Sequence, residues 1–146
     1  MVHTDMAPNK KLIGEMLRAG LQLASARNAV LTGFGLTGAK LRLLKMMRRL
    51  PVPLTVSELA RAMNVTRQTV QATASALEAA DLVRLTLNMR NRKAPLVVLT
   101  TLGQIRLEEC LRVEERWIAD LTRGFDERVV AQTEWVLRTV RERAGC

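Results

Sequence analysis

The sequence predicts a mainly α-helical fold that contains one small β-hairpin. Three observations support this prediction. Residues 55–80 contain two capped amphipathic helices separated by a short turn, and residues 82–100 read as a strand, a basic turn and a second strand. Apolar residues at helical spacing occur on both sides of this region. The order of these elements is that of a winged helix-turn-helix domain with additional N- and C-terminal helices.

The N-terminal part of the chain predicts two helices. Residues 1–9 are expected to be frayed, and residues 10–31 carry a wide apolar stripe that must pack against a distant segment or a second chain. A second helix over residues 38–49 follows a Thr37 cap and ends before Pro51. Its five Lys and Arg side chains form either a solvated basic face or a phosphate-contacting one.

The central helix pair begins at Thr55. Thr55 and Glu58 have the spacing of a capping box, in which the hydroxyl accepts the third amide of the helix and the carboxylate accepts the amide of the cap residue. This helix extends to about Met63, and Thr66 caps the next one after a turn. In the second helix one face is apolar and the opposite face is polar: the first holds Val70, Ala74 and Leu77, the second Arg67, Gln68, Gln71 and Ser75.

A short helix, a short turn and a helix with a small-polar exposed face are typical of a helix-turn-helix, whose second helix enters the DNA major groove. The candidate DNA-binding residues on this helix are Thr66, Arg67, Gln68, Thr69 and Gln71. Glutamine side chains pair with adenine edges, and arginine pairs with guanine or phosphate. The alternative is a helix pair of an ordinary all-α protein with an ordinary polar surface. The segment that follows helps to decide between these two interpretations.

That segment predicts a β-hairpin wing. Residues 82–87 and 94–100 are rich in strand-forming residues, and the polar turn at residues 88–93 is basic. Asp81 stands where a left-handed residue normally closes the preceding helix. Arg90 and Arg92 at the tip are candidates for insertion into a minor groove, where narrow A·T tracts concentrate negative potential. The alternative for a basic tip is a solvated loop.

The C-terminal part predicts two more helices. Thr101 and Gln104 have the spacing of a second capping box, which would begin a long amphipathic helix ending near Arg123. Gly124 interrupts it, and a last helix runs from Asp126 to about residue 143. Both carry apolar stripes and balanced charge.

The net charge of +9 is concentrated in one segment of the 146 residues. Residues 40–93 contain eleven Lys and Arg against three Asp and Glu, whereas residues 101–146 contain eight against nine. The excess charge therefore lies on the helix pair and its neighbours, which indicates a polyanionic partner.

Several classes of protein are not expected. An enzyme is disfavoured because the chain has one His, no Tyr and no phosphate-binding glycine loop. Cys110 and Cys146 provide neither a disulfide framework nor zinc-ligand spacing, so no metal or cofactor is expected. No apolar run approaches the ~20 residues of a membrane helix, and no signal peptide is evident, so a cytoplasmic protein is expected.

The segments VTRQTVQATASALEAADLVR and NMRNRKAPLVVLTTLG resemble the MarR family of bacterial transcription regulators. That family typically shows T-V followed by L-E-x-x-G-L-V, and a wing of the type D-x-R-x-A-x-L-V-x-L-T-x-x-G. The resemblance extends over nearly the whole chain, with three departures. Asp81 replaces the usual Gly, Asn91 stands where an Asp often braces the wing arginine, and Ala72 stands where many members have a basic residue.

The resemblance implies a homodimer in which residues 1–36 form an N-terminal dimerisation helix and residues 101–146 form C-terminal dimerisation helices. Residues 37–100 would be the winged helix-turn-helix DNA-binding domain. Two recognition helices would then lie one helical turn apart, ~34–36 Å, over a pseudo-palindromic operator in double-stranded DNA. The implied function is a repressor of nearby genes that is released by a small aromatic or anionic effector.

Two alternatives accompany this function. A redox-responsive regulator would act through Cys110, but the neighbouring Glu108 and Glu109 are expected to raise rather than lower the pKa of its thiol. A low-specificity architectural DNA-binding protein would use the same basic surface with little sequence preference.

Overall fold

The computed structural model of the protein describes residues 6–145. The elements in this range, in chain order, are α1 (Met6–Thr32), α2 (Gly38–Arg49), β1 (Leu54–Thr55), α3 (Val56–Met63), α4 (Arg67–Ala79), β2 (Val83–Thr86), β3 (Leu96–Leu99), α5 (Thr101–Leu121) and α6 (Glu127–Ala144). The predicted class, mainly α-helical with a small β-structure, is confirmed. The chain divides into two compact units, Met1–Glu114 and Glu115–Cys146.

The start of α1 differs from the prediction. Residues 6–9 were expected to be frayed but are helical, so that expectation was wrong for them; residues 1–5, including His3, lie outside the described range. Pro8 falls in the first turn of α1, where its missing N–H removes no intrahelical hydrogen bond. Proline at this position is therefore compatible with a helix that begins before it.

The predicted hairpin is part of a three-stranded antiparallel sheet in the order β1-β3-β2. β2 and β3 pair as expected, with Leu85 opposite Val97. The third strand, β1, is not predicted from the sequence; its Leu54 also pairs with Val97, from the other side. A strand of two residues is too short to show alternation, and its pairing partner lies more than forty residues later.

The core of the first unit joins α4 to the helices around it. The buried residues of α4 are Val70, Ala74 and Leu77, as the apolar spacing predicted. They belong to one cluster with leucines and valines from α1, α2, α3, α5 and the sheet, among them Leu31, Leu41, Leu44, Leu59, Val83, Val97 and Leu107. Burial of this face fixes which side of α4 is exposed.

The end of α4 is tied to the start of α5 through Asp81 and Leu82. Asp81 adopts a left-handed conformation with φ of 59°, as predicted for this position. The Thr100 hydroxyl donates to the Asp81 carbonyl oxygen at 2.7 Å, and the Thr100 amide donates to the Leu82 carbonyl oxygen at 3.1 Å. The wing strands are thus joined at their base to both helices.

Thr100, not Thr101, caps α5. The Thr100 hydroxyl accepts the amide of Gly103 at 2.9 Å, and the Thr100 carbonyl accepts the amide of Gln104. The predicted capping box of Thr101 and Gln104 was therefore wrong by one residue. The reason is the tertiary bond of Thr100 to Asp81, which the local sequence does not reveal.

Gly103 packs directly against the backbone of Leu82. A Cβ atom at position 103 would lie 2.0 Å from the Leu82 carbonyl oxygen, far inside van der Waals contact. Because this neighbour is backbone and already accepts the Thr100 amide, it has no free direction in which to move. Only glycine fits at this position.

A buried carboxylate joins three helices of the first unit. Glu114 of α5 is 7% exposed and accepts a hydrogen bond from Arg27 Nε of α1 at 2.6 Å and another from Lys45 Nζ of α2 at 2.5 Å. Burial by itself raises the pKa of Glu114, but these hydrogen bonds and the two positive charges outweigh it and hold the pKa below its ordinary value.

Substitution of Gly103 by Ala is expected to lower the free energy of unfolding by at least about 2 kcal/mol, because the added methyl group collides with the Leu82 carbonyl. Gly20→Ala in α1 is the matched control. Apart from its chain neighbours and the backbone of its own helix, nothing lies within 4 Å of a Cβ at position 20, so this change should stabilise the protein by about 0.5–1 kcal/mol. Urea unfolding at fixed protein concentration measures both values, and equal effects would refute the close approach.

Glu114→Gln is expected to destabilise the protein by about 3 kcal/mol at pH 7, because two partly buried cations lose their counter-charge. A lowered pKa in the folded state gives stability that is present above the ordinary value of 4.5 and is lost as the pH falls through the folded-state pKa. The difference in the free energy of unfolding between wild type and Glu114→Gln should therefore shrink as the pH falls through the folded-state pKa of Glu114. Glu115→Gln, an exposed neighbour, should show no such convergence in urea unfolding measured across pH.

Candidate nucleic-acid interface

The turn between α3 and α4 is fixed by local hydrogen bonds. The predicted capping box is present at the start of α3, where Thr55 and Glu58 satisfy each other's backbone amides. Asn64 ends α3 in a left-handed conformation with φ of 52°. Thr66 caps α4 by accepting the Thr69 amide at 3.1 Å, and the two threonine hydroxyl oxygens lie 2.8 Å apart. The first turn of α4 is thereby held in one orientation.

The exposed face of α4 carries the residues that the sequence analysis selected. Thr66, Arg67, Gln68, Thr69 and Gln71 are all exposed. The Gln71 amide donates to the Ser75 hydroxyl at 3.3 Å. Within residues 6–145, no hydrogen bond or ion pair holds the side chains of Arg67 and Gln68. Both are therefore available to an external hydrogen-bonding partner.

The wing tip is built from two successive turns. Asn88 is buried; its Nδ2 donates to the Ala94 carbonyl at 2.9 Å, and its Oδ1 accepts the Arg90 amide at 3.1 Å. The Asn91 amide donates to the Asn88 carbonyl, and the Ala94 amide donates to the Asn91 carbonyl. The first turn therefore places Arg90 at its corner, and the second does the same for Arg92.

Asn91 does not hold a wing arginine. Its Oδ1 accepts the amide of Lys93 at 3.1 Å, so its side chain stabilises the second turn. Arg92 is exposed and makes no hydrogen bond or ion pair with any described residue. Arg90 is exposed as well. The pKa of Glu58 is lowered mainly by hydrogen bonds from Thr55, and the positive charges of Arg61 and Arg90 lower it further.

A narrow cleft brings α4 and the wing together. Its walls come from the start of α3, the start of α4 and the base of the wing, and are formed by Thr55, Val56, Ser57, Arg67, Gln71, Leu85, Lys93, Ala94 and Pro95. Two cations and a primary amide face this cleft, and no carboxylate lines it. Such a surface complements the phosphates and base edges of DNA.

Lys93 is not among the DNA contacts predicted from the sequence. It belongs to the same basic run as Arg90 and Arg92, so charge alone could have indicated it. What could not be read locally is that Lys93 shares a cleft with Arg67 across more than twenty residues of sequence. Ser57, near the N-terminus of α3, lines the same cleft.

Cys110 is fully buried in the core of the first unit. Burial raises the pKa of its thiol, and the negative charge of Glu114 raises it further. The direction agrees with the sequence expectation, but the acidic neighbour responsible is Glu114 rather than Glu108 or Glu109. Cys146 lies outside the described residues.

Neither a metal-ligand group nor a membrane-spanning helix is found among the described residues. Across residues 6–145, no three His, Cys, Asp or Glu side chains are grouped as metal ligands would be. In the same part of the chain, no helix has the length and apolar character needed to cross a membrane.

Comparison with known proteins identifies relatives of this fold. The model of the MarR family matches residues 34–94. The structure of the YusO protein from Bacillus subtilis is 24% identical with a TM-score of 0.70, and the alignment covers 95% of this chain and 99% of that chain. No curated protein matches the sequence significantly.

Two structures of a protein named CouR also match. The transcriptional repressor CouR bound to a 23-mer DNA duplex is 21% identical, with a TM-score of 0.80 and coverage of 95% of this chain and 99% of that one. CouR from Rhodococcus jostii RHA1 bound to p-coumaroyl-CoA is 22% identical, with a TM-score of 0.72 and coverage of 88% and 90%. At these identities the likeness shows that the fold is shared.

Arg92→Ala is expected to weaken DNA binding and to reduce the dependence of log K on log salt by about one phosphate contact. Arg84→Ala is the matched control. Arg84 is an exposed arginine of the same wing, but it neighbours Leu85 in β2, so its side chain lies on the sheet face opposite the cleft. Fluorescence-anisotropy titrations at salt concentrations from about 50 to about 200 mM give the slope of log K against log salt for each variant. An unchanged slope for Arg92→Ala would remove Arg92 from the interface.

Proposed function

We propose that the chain, whose residues 34–94 match the model of the MarR family, is a homodimeric, sequence-specific DNA-binding transcriptional regulator. In this proposal it represses nearby genes and is released from its operator by a small molecule. The observation that carries the proposal is the cleft in which Arg67 and Gln71 of α4 face Lys93 of the wing without any acidic residue.

The proposed contacts follow from side-chain chemistry. Gln68 and Gln71 pair with adenine edges in the major groove, and Arg67 pairs with guanine or with phosphate. The hydroxyls of Thr66 and Thr69 contact phosphate at the N-terminus of α4, while the Thr66 hydroxyl continues to cap that helix by accepting the Thr69 amide. Arg90 and Arg92 enter the adjacent minor groove, and Lys93 contacts phosphate. The complex of CouR with a 23-mer DNA duplex supports DNA binding by a protein of this fold.

The proposed homodimer rests on apolar surface that each unit exposes. In α1, Leu17 is 66% exposed and Leu21 is 76% exposed. α6 has no buried residue, and its Trp135 is 64% exposed. Apolar stripes of this kind are typical of interfaces. We therefore assign residues 1–36 and 101–146 to dimerisation and residues 37–100 to DNA binding.

The proposed effector is a small aromatic or anionic molecule. A second cleft, between α2 and α3, is lined by Arg42, Lys45, Met46, Arg49, Ala62 and Met63. Arg42 and Arg49 have no hydrogen-bond or ion-pair partner among residues 6–145, and together with the two methionines of this lining they suit an anion with an apolar body. Lys45 is also bonded to Glu114, and α2 packs against α4, so an anion that attracts Lys45 would disturb contacts that position the recognition helix. The complex of CouR with p-coumaroyl-CoA supports a ligand of this character.

The two alternatives receive less support. A redox response through Cys110 requires an accessible thiolate, whereas this thiol is buried and its pKa is raised. A low-specificity architectural protein would need only the basic surface, whereas α4 presents uncharged amide groups suited to base recognition.

Titration against DNA from upstream of its own gene tests the proposed function. A scrambled duplex serves as competitor, salt is varied, and bound DNA is footprinted. The proposal predicts a protected site with two-fold symmetry that survives the competitor, bound by a dimer in analytical ultracentrifugation. Equal affinity for both duplexes, collapsing with salt, would mean that charge alone acts and would favour the architectural alternative.

The effector cleft is tested with benzoate as the probe anion. Benzoate is expected to release the protein from its operator, and Arg49→Ala should raise the concentration required by about tenfold, because a charge-assisted hydrogen bond is lost. Arg48→Ala is the control, since Arg48 lines a different groove with Gln104 and Glu108. Equal shifts for both variants would refute the proposed cleft.

A further inference from the structure

An apolar stripe runs along the wing to its tip. Leu85, Leu87 and Met89 occupy every second position, and their exposure rises from 39% to 63% to 77%. Leu85 lines the cleft that also contains Arg67 and Gln71. The stripe therefore begins at the proposed DNA-binding cleft and ends at the outermost turn of the wing.

Hydrogen bonds on both sides of Met89 fix the backbone of the turn that carries it. Asn88, directly before it, is buried and bonds on one side to the Ala94 carbonyl and on the other to the Arg90 amide. The turn is closed by the hydrogen bond from the Asn91 amide to the Asn88 carbonyl, at 3.2 Å. Met89 is the second residue of this turn, a position usually taken by proline or a polar residue. The Met89 side chain is 77% exposed, so most of its apolar surface is open to a partner.

The charged residues of the wing itself are all basic. Arg90, Arg92 and Lys93 follow Met89 directly, and residues 82–100 contain no Asp or Glu. An apolar point bordered by cations complements a DNA minor groove, which has phosphates along both rims and the edges of stacked bases between them. Proteins that bend DNA use methionine or leucine in this way, as wedges between neighbouring base pairs.

We propose that Met89, backed by Leu87, is an apolar wedge that enters the minor groove of the operator and partly unstacks one base step in each half-site. The step would be a pyrimidine–purine step, because TA and CA/TG steps are the easiest to unstack. The wing would then recognise DNA by its deformability as well as by the charge of its phosphates. This inference rests on the proposed function, since it requires a DNA-bound wing.

The test uses the full-length protein and its footprinted operator. 2-Aminopurine is placed at successive positions under the wing, where loss of stacking increases its fluorescence. Wild type should give an increase at one step per half-site, Met89→Leu should keep it, and Met89→Ala should abolish it. Met89 is exposed, so these variants are expected to fold.

Affinity provides the second readout. Replacing the pyrimidine–purine step of the operator by an AA step should weaken DNA binding by the wild type about tenfold. The affinity of Met89→Ala should be almost unchanged by this replacement. Arg92→Ala should remain sensitive to the step, because it keeps the wedge. The inference is overturned if Met89→Ala matches wild type in fluorescence and in step dependence, as would happen if the tip bound a protein or lipid instead. Absence of any protected operator would overturn the proposed function and this inference with it.

Discussion

The contact between Gly103 and the Leu82 carbonyl determines how the wing is attached to the rest of the first unit. Leu82 follows the left-handed Asp81 that ends α4, and it is the residue before β2. The same carbonyl accepts the Thr100 amide at the end of β3. Both wing strands and two helices thus meet within a few ångströms, which leaves the wing little freedom to rotate away from α4. The shared cleft of Arg67, Gln71 and Lys93 depends on this junction.

The positive charge of the protein has two separate uses. Arg27 and Lys45 neutralise the buried Glu114 and hold α1, α2 and α5 together, so they are not free for a polyanion. Arg67 and Arg92 have no partner among the described residues and lie on the exposed side of α4 and the wing. The net charge therefore overestimates the number of cations that are available to bind DNA. Whether a given cation is available depends on whether it already has an acidic partner.

Features that depend on nearby residues could be predicted from the sequence. The caps at Thr55 and Thr66 and the buried face of α4 are set by spacings of three or four residues. Features that depend on distant residues could not. The pairing of β1 with β3, the choice of Thr100 as the cap of α5, and the partners of Glu114 all require contacts that close only when the chain folds. For the same reason Lys93 was overlooked, although its neighbours in the basic run were selected.

We propose that α4 and the wing form one DNA-binding surface, with the helix in a major groove and the wing in the neighbouring minor groove. Methylation interference on the operator tests this most directly, because dimethyl sulfate modifies guanine N7 in the major groove and adenine N3 in the minor groove. The account predicts two symmetric half-sites, each with guanine interference flanked by adenine interference. Interference confined to one groove, or spread evenly along the duplex, would contradict it.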